Sequence, residues 1–300
     1  MIIEKDIISI GEILFDCYPE YKVLGGAPFN FIYHIWQLSG KGKFVSRLGE
    51  DDLGREILER LEKENFDTSF IQKDKNHKTG VVQVKLDENK IPEYIIEENA
   101  AYDFIEYKNK LENHAKSEAG LIYFGTLAQR NNISRETIQK ISGGGSKVFY
   151  DINLRQNFYT NEILETSLKN SDVVKLNEDE LKVVNNLLIE GDYDFVQTSQ
   201  EVIKNFGIDL LCVTLGEEGA VLFKKGEINK HRHAVENIVD TVGAGDAYSA
   251  VLCLGYLLNW NLNKINNLAS EFAAEICTIK GAIPGNKNFY NKYLEILKNE

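Results

Sequence analysis

The sequence predicts an α/β protein: a three-layer α/β/α sandwich with a mainly parallel sheet and a small separate β-sheet. Three observations carry this. Short apolar runs closed by glycine or a polar residue alternate with longer segments of helical spacing, which is the rhythm of βαβ units. Between about residues 79 and 100 that rhythm breaks, and short alternating strands follow one another around a turn. The 300 residues are 43% apolar, enough to bury a core, and suit one domain over residues 1–300.

Composition narrows the function. A formal net charge of −12 argues against a nucleic-acid partner. It also means that any phosphate site has to be built locally, from backbone dipoles, a few cations and a metal. Cys17, Cys212, Cys253 and Cys277 are far apart and show no Cys-x-x-Cys spacing, so they read as free thiols of a cytoplasmic protein. No run of about 18 apolar residues points to a membrane span. Residues 1–6 lack the basic and apolar regions of a signal peptide.

Residues 7–10 read as a buried strand ending at Gly11, and the chain continues extended through residues 13–18. Asp16 interrupts this apolar run. It is either an exposed edge residue or a carboxylate that grips the hydroxyls of a neutral polyol. In Gly25-Gly26-Ala27-Pro28-Phe29-Asn30 the glycines let backbone approach a ligand, Pro28 stiffens a helix entry and Asn30 both donates and accepts. The plainer reading is a turn before the helix of Phe31, Ile32, Ile35, Trp36 and Leu38. Asp51 and Asp52 fit the capping of a helix over residues 53–61 better than a metal site. His34 reads as a core histidine, and Tyr102 as core or as an aromatic beside a ligand.

Residues 121–127 form another buried strand with a glycine exit, and residues 148–155 a strand ending in alternate polar residues. Parallel sheets place ligands at the carboxyl ends of their strands, so Asp151, Asn153 and Arg155 should meet at a crevice. The Arg155 guanidinium suits an oxyanion, with a structural ion pair as the alternative. Residues 173–180 end a further strand in an acidic helix start, where Glu178 and Asp179 read as solvated. Residues 210–221 are strand, glycine turn, strand, and residues 269–279 are helical.

Val239-Asp240-Thr241-Val242-Gly243-Ala244-Gly245-Asp246-Ala247 is the stretch around which the rest is organised. Its first part is turn-prone, and from about Asp246 it opens an apolar helix. Unpaired N–H groups and the positive helix end make such a turn an anion site. Asp246 would repel that anion unless it has a task, such as taking the proton of a hydroxyl that attacks a bound phosphoryl group. The alternative is a loop with an N-capping aspartate.

Residues 240–246 closely resemble the C-terminal signature of the ribokinase-like (PfkB) carbohydrate kinases. Gly11-Glu12-Ile13-Leu14-Phe15-Asp16, the Gly25-Gly26 turn with Asn30, and Asn177 with Glu180 resemble that family's other motifs, in family order from Gly11 to Pro284. The resemblance implies a ribokinase-like fold whose small sheet, from about residues 12–24 and 79–100, is a lid over the sugar and often a homodimer contact. It implies ATP as co-substrate and a primary sugar hydroxyl as acceptor. Asp246 is then the base, with Gly243, Ala244 and Gly245 as the anion hole. Asp16, Gly25, Gly26, Asn30 and Arg155 would bind the sugar. Asn177, Thr214, Gly216, Gly219 and Gly245 would bind the nucleotide, and Glu180 would reach Mg²⁺ through water. Asp240, Val242, Ile276, Ile279 and Gly281 would surround a monovalent cation, K⁺, although Gly285 replaces a serine that other members carry there. The Ala27-Pro28 version of the first turn is similar to fructokinases, so fructose or a related ketose is the expected substrate. Ketodeoxygluconate, ribose and nucleosides are alternatives within the family. A non-catalytic sugar sensor on the same fold is the alternative of a different class.

Overall fold

The computed structural model describes residues 3–86, 92–189 and 191–299. In chain order the elements are β1 (Asp6–Ile10), β2 (Leu14–Cys17), β3 (Lys22–Gly25), α1 (Ala27–Ser39), β4 (Gly42–Gly49), α2 (Asp52–Lys63), β5 (Ile71–Asp74), β6 (Gly80–Leu86) and β7 (Pro92–Ile96). There follow α3 (Asn109–Ser117), β8 (Ala119–Gly125), α4 (Asn132–Ser142), β9 (Lys147–Asp151), α5 (Asn161–Lys169), β10 (Val173–Asn177), α6 (Glu178–Val184) and α7 (Phe195–Phe206). The chain closes with β11 (Leu210–Thr214), β12 (Ala220–Lys224), β13 (Glu227–His231), α8 (Ala244–Leu257), α9 (Leu262–Ile276) and α10 (Asn291–Lys298). The turn expected between the strands of residues 79–96 lies outside the described residues at its tip.

The main sheet runs β13-β12-β11-β10-β9-β8-β1-β4-β5, parallel except at β12 and β13. Its strands are apolar at successive positions because both faces are covered. Ile7, Leu121, Tyr123, Phe149 and Val173 pack into a layer with α1, α2, α8, α9 and α10. Their neighbours Ile8, Ile122, Phe124, Val148 and Val174 pack into the opposite layer, with α3 to α7. This is the three-layer α/β/α sandwich. The order reverses at β1: β4 and β5 extend the sheet one way and β8 onward the other. Crevices of open α/β sheets lie at the strand carboxyl ends beside such a reversal.

A second sheet, β3-β2-β6-β7, is built from residues 14–25 and 80–96, with β2 parallel to β6 and the other pairs antiparallel. Asp51 caps α2, accepting from the Gly54 N–H at 2.8 Å and from Thr79. His34 is fully buried, with Nδ1 2.9 Å from the Tyr290 hydroxyl. Tyr102 is core: it lies under Gly80, and its hydroxyl accepts from Arg130. Among the described residues, no helix is long and apolar enough to cross a membrane.

Several element ends differ from the sequence reading: β9 stops at Asp151, short of residue 155, and α9 begins at Leu262, ahead of residue 269. α8 begins at Ala244, with Gly243 as its cap, so Asp246 sits inside the first turn and is not an N-cap. α9 stops at Ile276, because the Cys277 carbonyl turns to accept the N–H groups of Val239 and Asp240.

Candidate active site

A cavity of about 570 Å³ opens where the second sheet faces the carboxyl ends of β1, β8, β9 and β10 and the start of α8. Asp16, Gly26, Asn30, Arg155, Val242, Gly243, Gly245 and Asp246 all line it. Gly25 stands just behind: a Cβ there would lie 2.9 Å from Asp16 Oδ2.

Glycine is required at two turns. Gly26 caps α1 at φ 112°, and a Cβ on it would meet the Glu12 carbonyl oxygen at 2.5 Å. That close approach brings Asn30, in the first turn of α1, over the cavity. Gly243 adopts the left-handed conformation at φ 80°, and a Cβ would lie 2.2 Å from the Ala282 side chain. The N–H groups that follow have no carbonyl one turn earlier to bond. The Ala244 N–H makes only a long 3.3 Å contact to the Thr241 carbonyl. This turn can therefore hold an anion.

Asp246 Oδ2 accepts a 2.8 Å hydrogen bond from Asn30 Nδ2. Burial, with repulsion from Asp151, raises its carboxyl to about 6, although Asn30, Lys175 and Arg155 pull the other way. Burial likewise raises Asp16 to about 6, against the attraction of Arg155. Glu12, buried in the cavity wall with Oε2 unpartnered among the described residues, is pushed up to about 7 by burial. A carboxyl near neutrality is matched to proton transfer at physiological pH.

Arg155 is exposed at the rim and makes no ion pair among the described residues; its Nη1 donates to the Leu154 carbonyl. It lies within a strained turn, between Asn153 at φ 42° and Gln156 at φ 48°. Gln156 donates to the Tyr94 carbonyl at 2.7 Å, tying this turn to β7. Asp151, expected at the crevice itself, is instead buried beneath it. Its carboxylate receives Lys175 Nζ at 3.0 Å on each oxygen, and Tyr123 and Ser249 at 3.0 and 2.9 Å on Oδ2.

Other residues singled out in the sequence lie outside this cavity. Asn177 and Glu180 cap α6 reciprocally: the Glu180 N–H donates to Asn177 Oδ1 and the Asn177 N–H to Glu180 Oε2, both at 2.8 Å. Glu180 Oε1 also accepts from the Leu154 N–H at 2.7 Å. Burial raises the Glu180 carboxyl, and these hydrogen bonds with Lys175 oppose that rise. Thr214 ends β11, and Gly216 and Gly219 shape the turn into β12. Asp240 joins two loops, accepting from the N–H groups of Val242 at 3.0 Å and Gly281 at 2.9 Å. Ile276 ends α9 and Ile279 lies in the second of those loops, where its N–H bonds the Ile276 carbonyl.

The sequence reading missed Glu12, Tyr123, Lys175 and Ser249. Lys175 and Glu12 carried a usable signal, a charge inside an otherwise apolar strand or strand exit. Ser249 and Tyr123 carried none, since their roles depend on contacts distant in sequence.

A glycine turn that can hold an anion, beside the buried Asp246 carboxylate at the edge of the cavity, suits phosphoryl transfer to a hydroxyl. The family model for pfkB family carbohydrate kinases matches residues 6–288. The chain belongs to this family. It is similar to the sugar kinase PH1459 of Pyrococcus horikoshii, at 32% identity over 92% of this chain and 91% of that one. It is 28% identical to a fructokinase of Escherichia coli, over 91% of this chain and 94% of the relative. The crystal structure of PH1459 in complex with ATP superposes with a TM-score of 0.79 at 28% identity, covering 97% of this chain and 99% of that one. A Vibrio cholerae O395 fructokinase solved with fructose, ADP and calcium gives 0.76 at 25% identity, covering 96% and 98%. This PfkB chain is thus an ATP-dependent carbohydrate kinase, a phosphotransferase with an alcohol acceptor and a fructokinase-like sequence.

Proposed function

We propose that this kinase transfers the γ-phosphoryl group of ATP to a primary hydroxyl of a small ketose, with fructose as the leading substrate. The supporting observation is the Asn30–Asp246 hydrogen bond, which joins the sugar-side glycine turn to the phosphate-side helix start within one cavity. In this reading Asp246 takes the proton of the attacking hydroxyl, and the turn of Gly243, Ala244 and Gly245 stabilises the charge on the phosphoryl oxygens. Asp16, Gly25, Gly26 and Asn30 orient the sugar, with Arg155 at the rim. Asn177, Thr214, Gly216, Gly219 and Gly245 bind ATP.

The charge of the cavity favours a neutral polyol. Glu12, Asp16 and Asp246 face it, and of its two cations Lys175 is already paired with Asp151. For a sugar acid such as ketodeoxygluconate, Arg155 is the one unpaired cation among the described residues lining the cavity. The fructokinase relatives support the same choice.

The chain's donors suit a hard cation held chiefly by nucleotide phosphates and water. Among the described residues no three His, Cys, Asp or Glu side chains gather, and both Glu180 oxygens are engaged by backbone N–H groups. Mg²⁺ bound with ATP would neutralise phosphate charge, with Asn177 and Glu180 facing its water shell. K⁺ would be held by carbonyls of Val242, Ile276, Ile279 and Gly281, in segments that Asp240 ties together, and Gly285 adds no side chain.

We read residues 1–300 as one domain acting in the cytoplasm, with the second sheet as the lid. The lid's exposed Tyr94 and Ile95 suit contact with a second copy. Sedimentation of a monomer at micromolar concentration would refute that dimer. ADP release with Mg-ATP against ketoses, aldoses, ketodeoxygluconate and nucleosides tests the substrate. Fastest turnover with fructose is the expected result, and preference for a sugar acid or a nucleoside would overturn the choice.

A further inference from the structure

Lys175 stands in β10 between Val174 and Leu176, both fully buried, and is itself 8% exposed. An ammonium in such a place needs a reason, because removing a charge from water is costly. Asp151 supplies part of one, at 3.0 Å to each oxygen. Burial alone would lower the Lys175 ammonium; Asp151 more than offsets this, and the group stays protonated. Two oxygens of one carboxylate leave the third ammonium proton for another acceptor.

Two further facts say where that acceptor lies. Lys175 lines the cavity, and its Nζ is 3.5 Å from the point where a Cβ on Gly245 would stand. It therefore stands beside Gly245, on the cavity side of the turn. The Ser249 hydroxyl lies 2.9 Å from Asp151 Oδ2 and 2.9 Å from the Gly245 carbonyl, so the same carboxylate that holds Lys175 is tied to the turn. Tyr123 donates to that carboxylate from β8.

We propose that Lys175 is a catalytic residue whose ammonium donates to an oxygen of the phosphoryl group in transfer on the Gly243–Gly245 turn, and that Asp151, held by Tyr123 and Ser249, positions it. In the step, the sugar oxygen bonds to the γ-phosphorus and the bond from that phosphorus to the β–γ bridging oxygen breaks. The electron pair leaves with ADP, and the hydroxyl proton goes to Asp246. Lys175 keeps its proton throughout and acts through its charge and that hydrogen bond. The inference rests on the phosphoryl-transfer reading but is independent of which sugar is used.

The first test is a crystal structure of the wild-type enzyme with ADP and aluminium fluoride, which mimics the phosphoryl group in flight. Nζ should lie about 3 Å from a fluoride. A fluoride seated on the glycine turn with Nζ beyond about 5 Å would overturn the proposal, as the pair would then be structural. The second test is kinetic. Lys175→Met should lower kcat about 10²- to 10³-fold, with little change in the sugar KM. Should that variant fold poorly, Lys175→Met/Asp151→Leu removes both charges and should recover the melting temperature but not kcat. Recovery of kcat in the double variant would mean that Lys175 merely neutralises Asp151. Wild-type enzyme inactive on every sugar would refute the kinase reading instead, and the fluoride complex would still report on Lys175.

Discussion

Asp246 carries the tension of the site. Burial and Asp151 raise its carboxyl to about 6, while its hydrogen bond from Asn30 and the charges of Lys175 and Arg155 favour the ionised form. A base must be ionised to act, and a raised carboxyl is ionised only above its pKa. The value of kcat/KM should therefore be flat above about pH 7 and fall about tenfold per unit below about pH 6. Asn30→Ala removes an interaction that lowers the pKa, so the acid limb should move to higher pH. A limb that stays in place or moves down would show that Asn30 does not tune Asp246. Part of this was legible in the sequence: the glycine-flanked aspartate announced itself by its spacing, and Asn30 by its place after a glycine pair. Their contact was not, since 216 positions separate them. Lys175 left one signal, a charge inside an apolar strand, but its pairing with Asp151 on the neighbouring strand could not be read from the sequence.

At the scale of the element, the start of α8 and the turn before α1 are the two pieces that must be built without side chains. Gly243 combines a positive φ with an approach to Ala282 that leaves no room for a methyl group. Gly243→Ala should cost about 2–4 kcal/mol in urea unfolding, from backbone strain and overpacking together. It should also weaken ADP–aluminium fluoride binding. Wild-type stability would mean that the loop around Ala282 yields more readily than its packing indicates. The sequence showed that a helix starts here, but it could not show that Gly243 in a left-handed conformation would start it at Ala244. Nor could it show that α9 would stop at Ile276, because the interruption comes from Val239 and Asp240 bonding the Cys277 carbonyl.

At the scale of the molecule, the reversal of strand order at β1 opens a crevice between two halves of one sheet, and the small second sheet covers it. The alternation of strands and helices made the layers legible, and the broken rhythm at residues 79–100 marked the extra sheet. The pairing inside that sheet was not legible: β2 lies parallel to β6, a contact between segments some 65 residues apart. This pairing sets Asp16 over the cavity on an element separate from the Gly243–Gly245 turn. Asp16→Ala should then raise the sugar KM about 10- to 100-fold, the cost of losing a charge-assisted hydrogen bond. It should leave the ATP KM close to wild type. Equal losses for both substrates would argue that the lid folds poorly without Asp16, and an unchanged sugar KM would remove it from the binding site.

The most direct test of the central claim is the turnover of Asp246→Asn, which keeps the size of the side chain and abolishes its basicity. With the best sugar and saturating Mg-ATP, kcat should fall about 10²- to 10⁴-fold while calorimetric binding of the nucleotide stays at its wild-type strength. A variant that binds ATP and turns over within an order of magnitude of wild type would contradict the account, because the proton of the sugar hydroxyl would then have to leave by another route.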